Sequence, residues 1–198
     1  MARAGYSQLL NWGAPWQTTT GTNLTTATTA TISPQATSSK DFQIAASSLY
    51  VGFVFRCTAH GFLTTTATST TATIFLTAGA TPTTLATPVG ITTGTTVITG
   101  IQWWWESYSR VTALASTGNT ISTQGRLVLG NSGAAVPANP IALTGTAAVG
   151  PLFAPNASGE TAAAIDTTVA MSVMMRGTLA GANATVNCAQ FFIEAVEG

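Results

Sequence analysis

From residue 42 onward the chain is written with a period of two, and this constrains its fold more than any other feature. In residues 48–61, Leu49, Val51, Phe53, Phe55 and Cys57 fall on one side, and Tyr50, Gly52, Val54 and Arg56 on the other. Successive strand side chains point to opposite faces, so such alternation predicts a half-buried strand. A Thr-rich stretch leads into a second strand ending at Gly79. A third, interrupted near Gly100, sets Trp103, Trp105 and Ser107 against Trp104, Glu106 and Tyr108. Gly118-Asn119 predicts a turn and residues 120–129 a further strand. Val169, Met171, Val173 and Met175 share one face of the next. In the last, Val186, Cys188, Gln190, Phe192 and Glu194 stand opposite Ala189, Phe191, Ile193 and Ala195. Residues 130–165, with Pro137, Pro140, Pro151 and Pro155, read as loop. No 3.6-residue period competes with this pattern. About eight strands without a helix predict an all-β domain, a jelly-roll-like two-sheet β-sandwich, with a closed barrel as the second choice.

Threonine, about a fifth of the residues, takes the polar positions that charge usually fills. Its branched Cβ is stiff and packs well on a pleated surface. Charged residues make up 6% of the chain, against roughly 25% in ordinary domains, and six basic residues balance six acidic ones. Such a chain lacks the basic stripe that nucleic acid requires. It also lacks the clustered ionisable groups that acid–base catalysis requires. A hydrophobic content of 45% supplies a core and argues against disorder. Near-zero charge favours association, so a place inside an assembly is expected. The longest apolar stretch, residues 45–55, is too short for a bilayer and is broken by Ser47 and Ser48. The first residues show no continuous apolar core of a signal peptide. Neither membrane nor nucleic acid is therefore an expected partner.

Residues 1–40 differ from the rest and predict an extended N-terminal arm with a Thr-rich connector, leaving 41–198 as the β-sandwich. Tyr6, Leu9, Leu10, Trp12 and Trp16 are large apolar residues on a segment with no period of its own. They are the expected anchors of the arm on a neighbouring subunit.

Few motifs carry chemistry. Cys57 and His60 form a C-x-x-H pair, but a zinc site needs three or four ligands. The two cysteines, Cys57 and Cys188, are expected to be buried free thiols. Residues 130–133, Gly-Asn-Ser-Gly, resemble a serine-protease loop, yet His60 is the only histidine available as base, so a turn is the better reading. Trp103, Trp104 and Trp105 place two indoles on one face and one on the other. One face is expected in the core and the other against a neighbouring subunit, where aromatic residues are enriched. A stacking platform for sugar is the other reading of these three. No catalytic, metal or cofactor-binding residue is expected, and the chain is read as a non-enzyme.

One resemblance spans roughly residues 45–198. The residues that carry it are Ala59 and Gly61 closing a strand, IFLTAGATPT, Trp103 with Glu106, the segment GRLVLG at 125–130, and above all IDTTVAMSVMMRGTLAGANATVNCAQFFIEAVEG at the end. This pattern resembles the β-rich virion structural proteins of tailed bacteriophages. The resemblance implies a capsid decoration or cement protein on the virion surface, made in the host cytoplasm. It implies a homo-oligomer, a trimer, bound to the major capsid protein and bracing capsomer junctions. The alternative is a tail, fibre or baseplate protein that binds a host surface glycan.

Overall fold

The computed structural model describes residues 7–9, 21, 23–34, 43–86, 91–95, 97–130, 141–143, 152–154 and 161–196. Two seven-stranded antiparallel sheets face one another. The first runs β1 (Ser7–Leu9), β14 (Ala184–Val196), β4 (Val54–Thr65), β8 (Ile101–Val111), β9 (Ile121–Leu129) and β11 (Leu152–Ala154), with β12 (Thr161–Ala163) also on β9. The second runs β10 (Ile141–Leu143), β7 (Ile91–Thr93), β5 (Thr71–Gly79), β13 (Met171–Leu179) and β2 (Thr29–Thr31). There β3 (Gln43–Ile44) pairs with β13, and β6 (Thr83–Ala86) with β5. The chain is thus an all-β two-sheet sandwich, and the only helical element among the described residues is a 3-10 turn at Ala46–Ser48. The ribbon β4–β5 lies beside the ribbon β14–β13 in both sheets, as in a rolled jelly-roll ribbon. By contrast β8 and β9 form a hairpin within one sheet, with β4 rather than β14 beside β8.

Alternation fills the space between the sheets. Phe55, Cys57 and Leu63 of β4, Trp103 and Trp105 of β8, and Phe191 and Ile193 of β14 meet Ile74, Leu76, Val173 and Met175 from the other sheet in one core. Both thiols are free and buried. Cys188 pairs in register with Gly61 while Cys57 pairs with Ile193, so four ladder positions separate them on adjacent strands. That is roughly 13 Å, beyond the reach of a disulfide.

Threonine also serves the loops. The Thr120 hydroxyl accepts the Ile165 N–H at 2.9 Å, and that of Thr93 accepts the Thr70 N–H at 3.0 Å. Thr167 Oγ1 accepts the Ala115 N–H and donates to the Ala113 carbonyl, both at 3.0 Å. These hydroxyls satisfy backbone groups that no ladder reaches.

The structure corrects the sequence reading in four places. The first long strand begins at Val54, not at Leu49, because residues 50–53 turn, with Gly52 at φ +96° and Phe53 N–H bonded to the Tyr50 carbonyl. Residues 130–165 contain three short strands that add to β7 and β9. The sandwich takes in residues before 41: Gly21 and Leu24 bond to β14, Thr29–Thr31 pair with β13, and Leu24 and Ile32 are core residues. Finally, the last strand does not hold one parity. A bulge between Cys188 and Gln190 makes Ala189 an extra residue, so Val186 and Cys188 share the inner face with Phe191, Ile193 and Ala195.

The bulge is held by side chains. Asn187 Oδ1 accepts the Phe62 N–H at 3.0 Å in place of the ladder carbonyl. The Asn187 carbonyl accepts the Trp103 indole N–H instead, at 3.1 Å. Gly61 makes the room: a Cβ there would lie 2.0 Å from that carbonyl oxygen and 2.6 Å from the indole.

Candidate functional site

The outward positions of four adjacent strands, β14, β4, β8 and β9, form a lattice of side chains set by register. One row reads Gln190, His60, Trp104, Val128; the next Phe192, Thr58, Glu106, Arg126; the third Glu194, Arg56, Tyr108, Gln124. Thr58 is the small member, ringed by larger side chains, and a groove of about 410 Å³ opens over it. Trp104 and Val128 border it on one side, and Gln190 and Phe192 on the other.

Charge concentrates here. Of six basic and six acidic residues in the chain, Arg56, Arg110, Arg126, Glu106 and Glu194 all belong to outward positions of these strands. Arg56 Nη2 donates to Glu106 Oε1 at 2.7 Å, and Arg126 Nη2 to Glu106 Oε2 at 2.9 Å. Arg56 Nη1 also reaches Glu194 at 3.6 Å. Tyr108 donates its hydroxyl to Glu106 at 3.4 Å, and the Arg56 guanidinium lies 5.8 Å from the Tyr108 ring centre, a cation–π distance. Partial burial works to raise the Glu106 pKa, but the hydrogen bonds from Arg56 and Arg126 outweigh it and hold the carboxyl below its ordinary value. Glu106 is therefore ionised at neutral pH with both oxygens engaged. It is a structural hub, poorly suited to proton transfer.

The three tryptophans divide as their parity requires. Trp103 and Trp105 are 0% and 1% exposed, whereas Trp104 is 44% exposed. Only Trp104 is open to a partner. Its benzo ring lies over Gly130, where a Cβ would stand 2.7 Å from Cζ3. Register brings Arg56 and Arg126, distant in sequence, beside these tryptophans.

No protein-family model, no curated protein and no solved structure matches this chain. The remaining expected site residues are placed as follows. Leu9 lies in β1, which pairs with Glu194–Val196 of β14. Tyr6, Leu10, Trp12 and Trp16 lie outside the described residues, as do Asn131, Ser132 and Gly133 of the serine-like loop. Cys57 faces the core and His60 the outer groove, so the C-x-x-H spacing places them on opposite faces of β4. Among the described residues no three His, Cys, Asp or Glu side chains gather as metal ligands. No helix among them is long and apolar enough to cross a membrane.

Proposed function

We propose that this chain is a non-enzymatic structural protein of a virion, a decoration or cement protein that sits on the capsid shell as a homo-oligomer. The observation that carries this reading is an apolar end of the sandwich that carries few charges. The turn at residues 50–53 is tied to the end of β8 by the Gly52 N–H to Val111 carbonyl bond, 2.8 Å. Thr167 ties the loop before β13 to Ala113 and Ala115. These bonds bring the exposed side chains of Tyr50, Val51, Leu114 and Val169 to one end. The end of β14 and the start of β1 lie there too, through the pairing of Val196 with Val54 and with Ser7. Across residues 49–53, 112–120 and 164–170, Asp166 is the only charged residue. A contact of this composition is held by apolar burial and hydrogen bonds, and screening has little to act on.

The test is light scattering of the full chain followed by co-sedimentation with undecorated cognate capsids. The reading expects a mass of three 20.1 kDa chains and pelleting with capsids that changes little between about 0.05 and 1 M NaCl. Val51→Asp with Leu114→Asp, both at exposed positions, should abolish pelleting and leave the circular dichroism spectrum intact. A folded protein that ignores capsids, or a double variant that still pellets, refutes it.

A further inference from the structure

We propose that the groove on the outer face of the β14–β4–β8–β9 sheet binds a neutral, hydroxyl-rich glycan, with Trp104 as its stacking platform. The argument begins with shape. A groove of about 410 Å³ falls within the span of small-ligand sites, roughly 300–1,000 Å³. Its floor is Thr58, and its two long sides are aromatic, Trp104 and Phe192. The exposed Trp104 and the half-buried Phe192, both lining the groove, leave apolar surface that a stacked ring would cover.

Orientation comes next. Gly130 has no side chain under the Trp104 benzo ring, so the indole lies against the strand end while 44% of the residue stays exposed. A sugar ring presents polarised C–H groups on one face, and these complement the negative face of an indole quadrupole. The rim of such a ring carries hydroxyls that both donate and accept. The groove offers the matching set: the Gln190 amide, the His60 imidazole, the Thr58 hydroxyl and the Arg126 guanidinium held by Glu106.

Charge decides between ligand classes. Of the charges that line the groove, Arg56 and Arg126 are both paired with Glu106, and Arg56 also reaches Glu194 beyond its edge, so both guanidiniums are already engaged. A nucleic acid or polyanionic glycan requires cations in excess, to displace condensed counterions. Planar guanidiniums already paired with carboxylates suit uncharged hydroxyls instead. The site lies on a sheet face, away from the apolar end through which the sandwich is proposed to dock, so the two proposals stand or fall separately.

The experiment is calorimetric and tryptophan-fluorescence titration of the full chain with maltohexaose, cellohexaose and chitohexaose. Hexagalacturonate and a deoxythymidine decamer serve as anionic probes. At least one neutral hexasaccharide should bind with Kd below about 1 mM, with little dependence on NaCl. Trp104→Ala should weaken that binding about tenfold or more, and Gly130→Ala, which pushes the ring off its seat, should weaken it several-fold. Both variants should keep the wild-type urea midpoint. Three results would each overturn the proposal: no neutral hexasaccharide binding up to about 10 mM, unchanged affinity in a folded Trp104→Ala protein, or binding confined to the two anionic probes and lost in salt.

Discussion

Trp103 and Trp104 are neighbours in sequence with opposite fates, and replacing each by Phe separates them. Trp103 is fully buried, and its indole N–H is bonded to the Asn187 carbonyl. That carbonyl depends on the indole because the Asn187 side chain has taken its place at the Phe62 N–H. Trp103→Phe removes that donor from a part-buried carbonyl, at a cost of about 1–3 kcal/mol. The smaller ring leaves a void that adds about 1 kcal/mol. The expected loss is about 2–4 kcal/mol, a large share of the 5–15 kcal/mol that holds a typical domain together. With a urea slope of about 2 kcal/mol per molar, the midpoint should fall by roughly 1–2 M at constant slope. Trp104→Phe keeps a ring on the outer face and should move stability by less than about 0.5 kcal/mol. The assay is urea unfolding followed by far-ultraviolet circular dichroism, since each substitution removes a fluorophore. Equal shifts for the two variants, or a larger shift for Trp104→Phe, would refute the inward and outward assignment of β8.

Three further outcomes are expected. Gly61→Ala places a Cβ 2.0 Å from a backbone oxygen that cannot swing aside, so it should destabilise by about 3 kcal/mol or more in the same urea assay. Burial pushes the pKa of both the Cys57 and Cys188 thiols up, and in native buffer neither should react with a disulfide reagent until urea unfolds the chain. Glu106 has a lowered folded-state pKa, so the stability it contributes is fully present above its ordinary value of 4.5 and is lost as pH falls through the lowered one. The urea midpoint of the wild type should therefore drop more steeply on acidification below pH 4.5 than that of Glu106→Gln, and parallel profiles would contradict the hub role.

The sandwich was legible because its signal is local. Alternation set Trp103 and Trp105 on one face and Trp104 on the other, and it grouped Met171, Val173 and Met175, all buried, but it also grouped Val169, which lies before β13 and is 41% exposed. What was not legible is non-local. Arg56, Glu106, Arg126 and Glu194 come from four strands separated by up to 138 positions in the chain, and only the ladder register makes them neighbours. Period-two reading gives the face of a residue but not its cross-strand partner. The start of β4 was missed for a related reason: Leu49, Val51 and Phe53 keep the apolar alternation through a segment that turns at Gly52, and a turn is indifferent to that pattern.

One inserted residue links the core to the outer groove. In the register before the bulge, Val186 meets Leu63 and Cys188 meets Gly61. Continued unchanged, that register would set Gln190 against Ala59, Phe192 against Cys57 and Glu194 against Phe55, all on the inner face. A glutamate carboxylate and a glutamine amide would then lie among Phe55, Trp103 and Trp105 without partners, at a cost of several kcal/mol each. Phe191 and Ile193 would face solvent. Leaving Ala189 out of the ladder as a bulge reverses this at once: Phe191 and Ile193 enter the core, while Gln190, Phe192 and Glu194 turn outward beside His60, Thr58 and Arg56. The far wall of the groove and the second carboxylate of the ionic network therefore exist because of the bulge. Deleting Ala189 should accordingly be tolerated, since it joins Cys188 opposite Gly61 directly to Gln190 opposite His60 and leaves every later pair and face of β14 in place; a deletion variant that no longer unfolds cooperatively in urea would refute this account of the bulge.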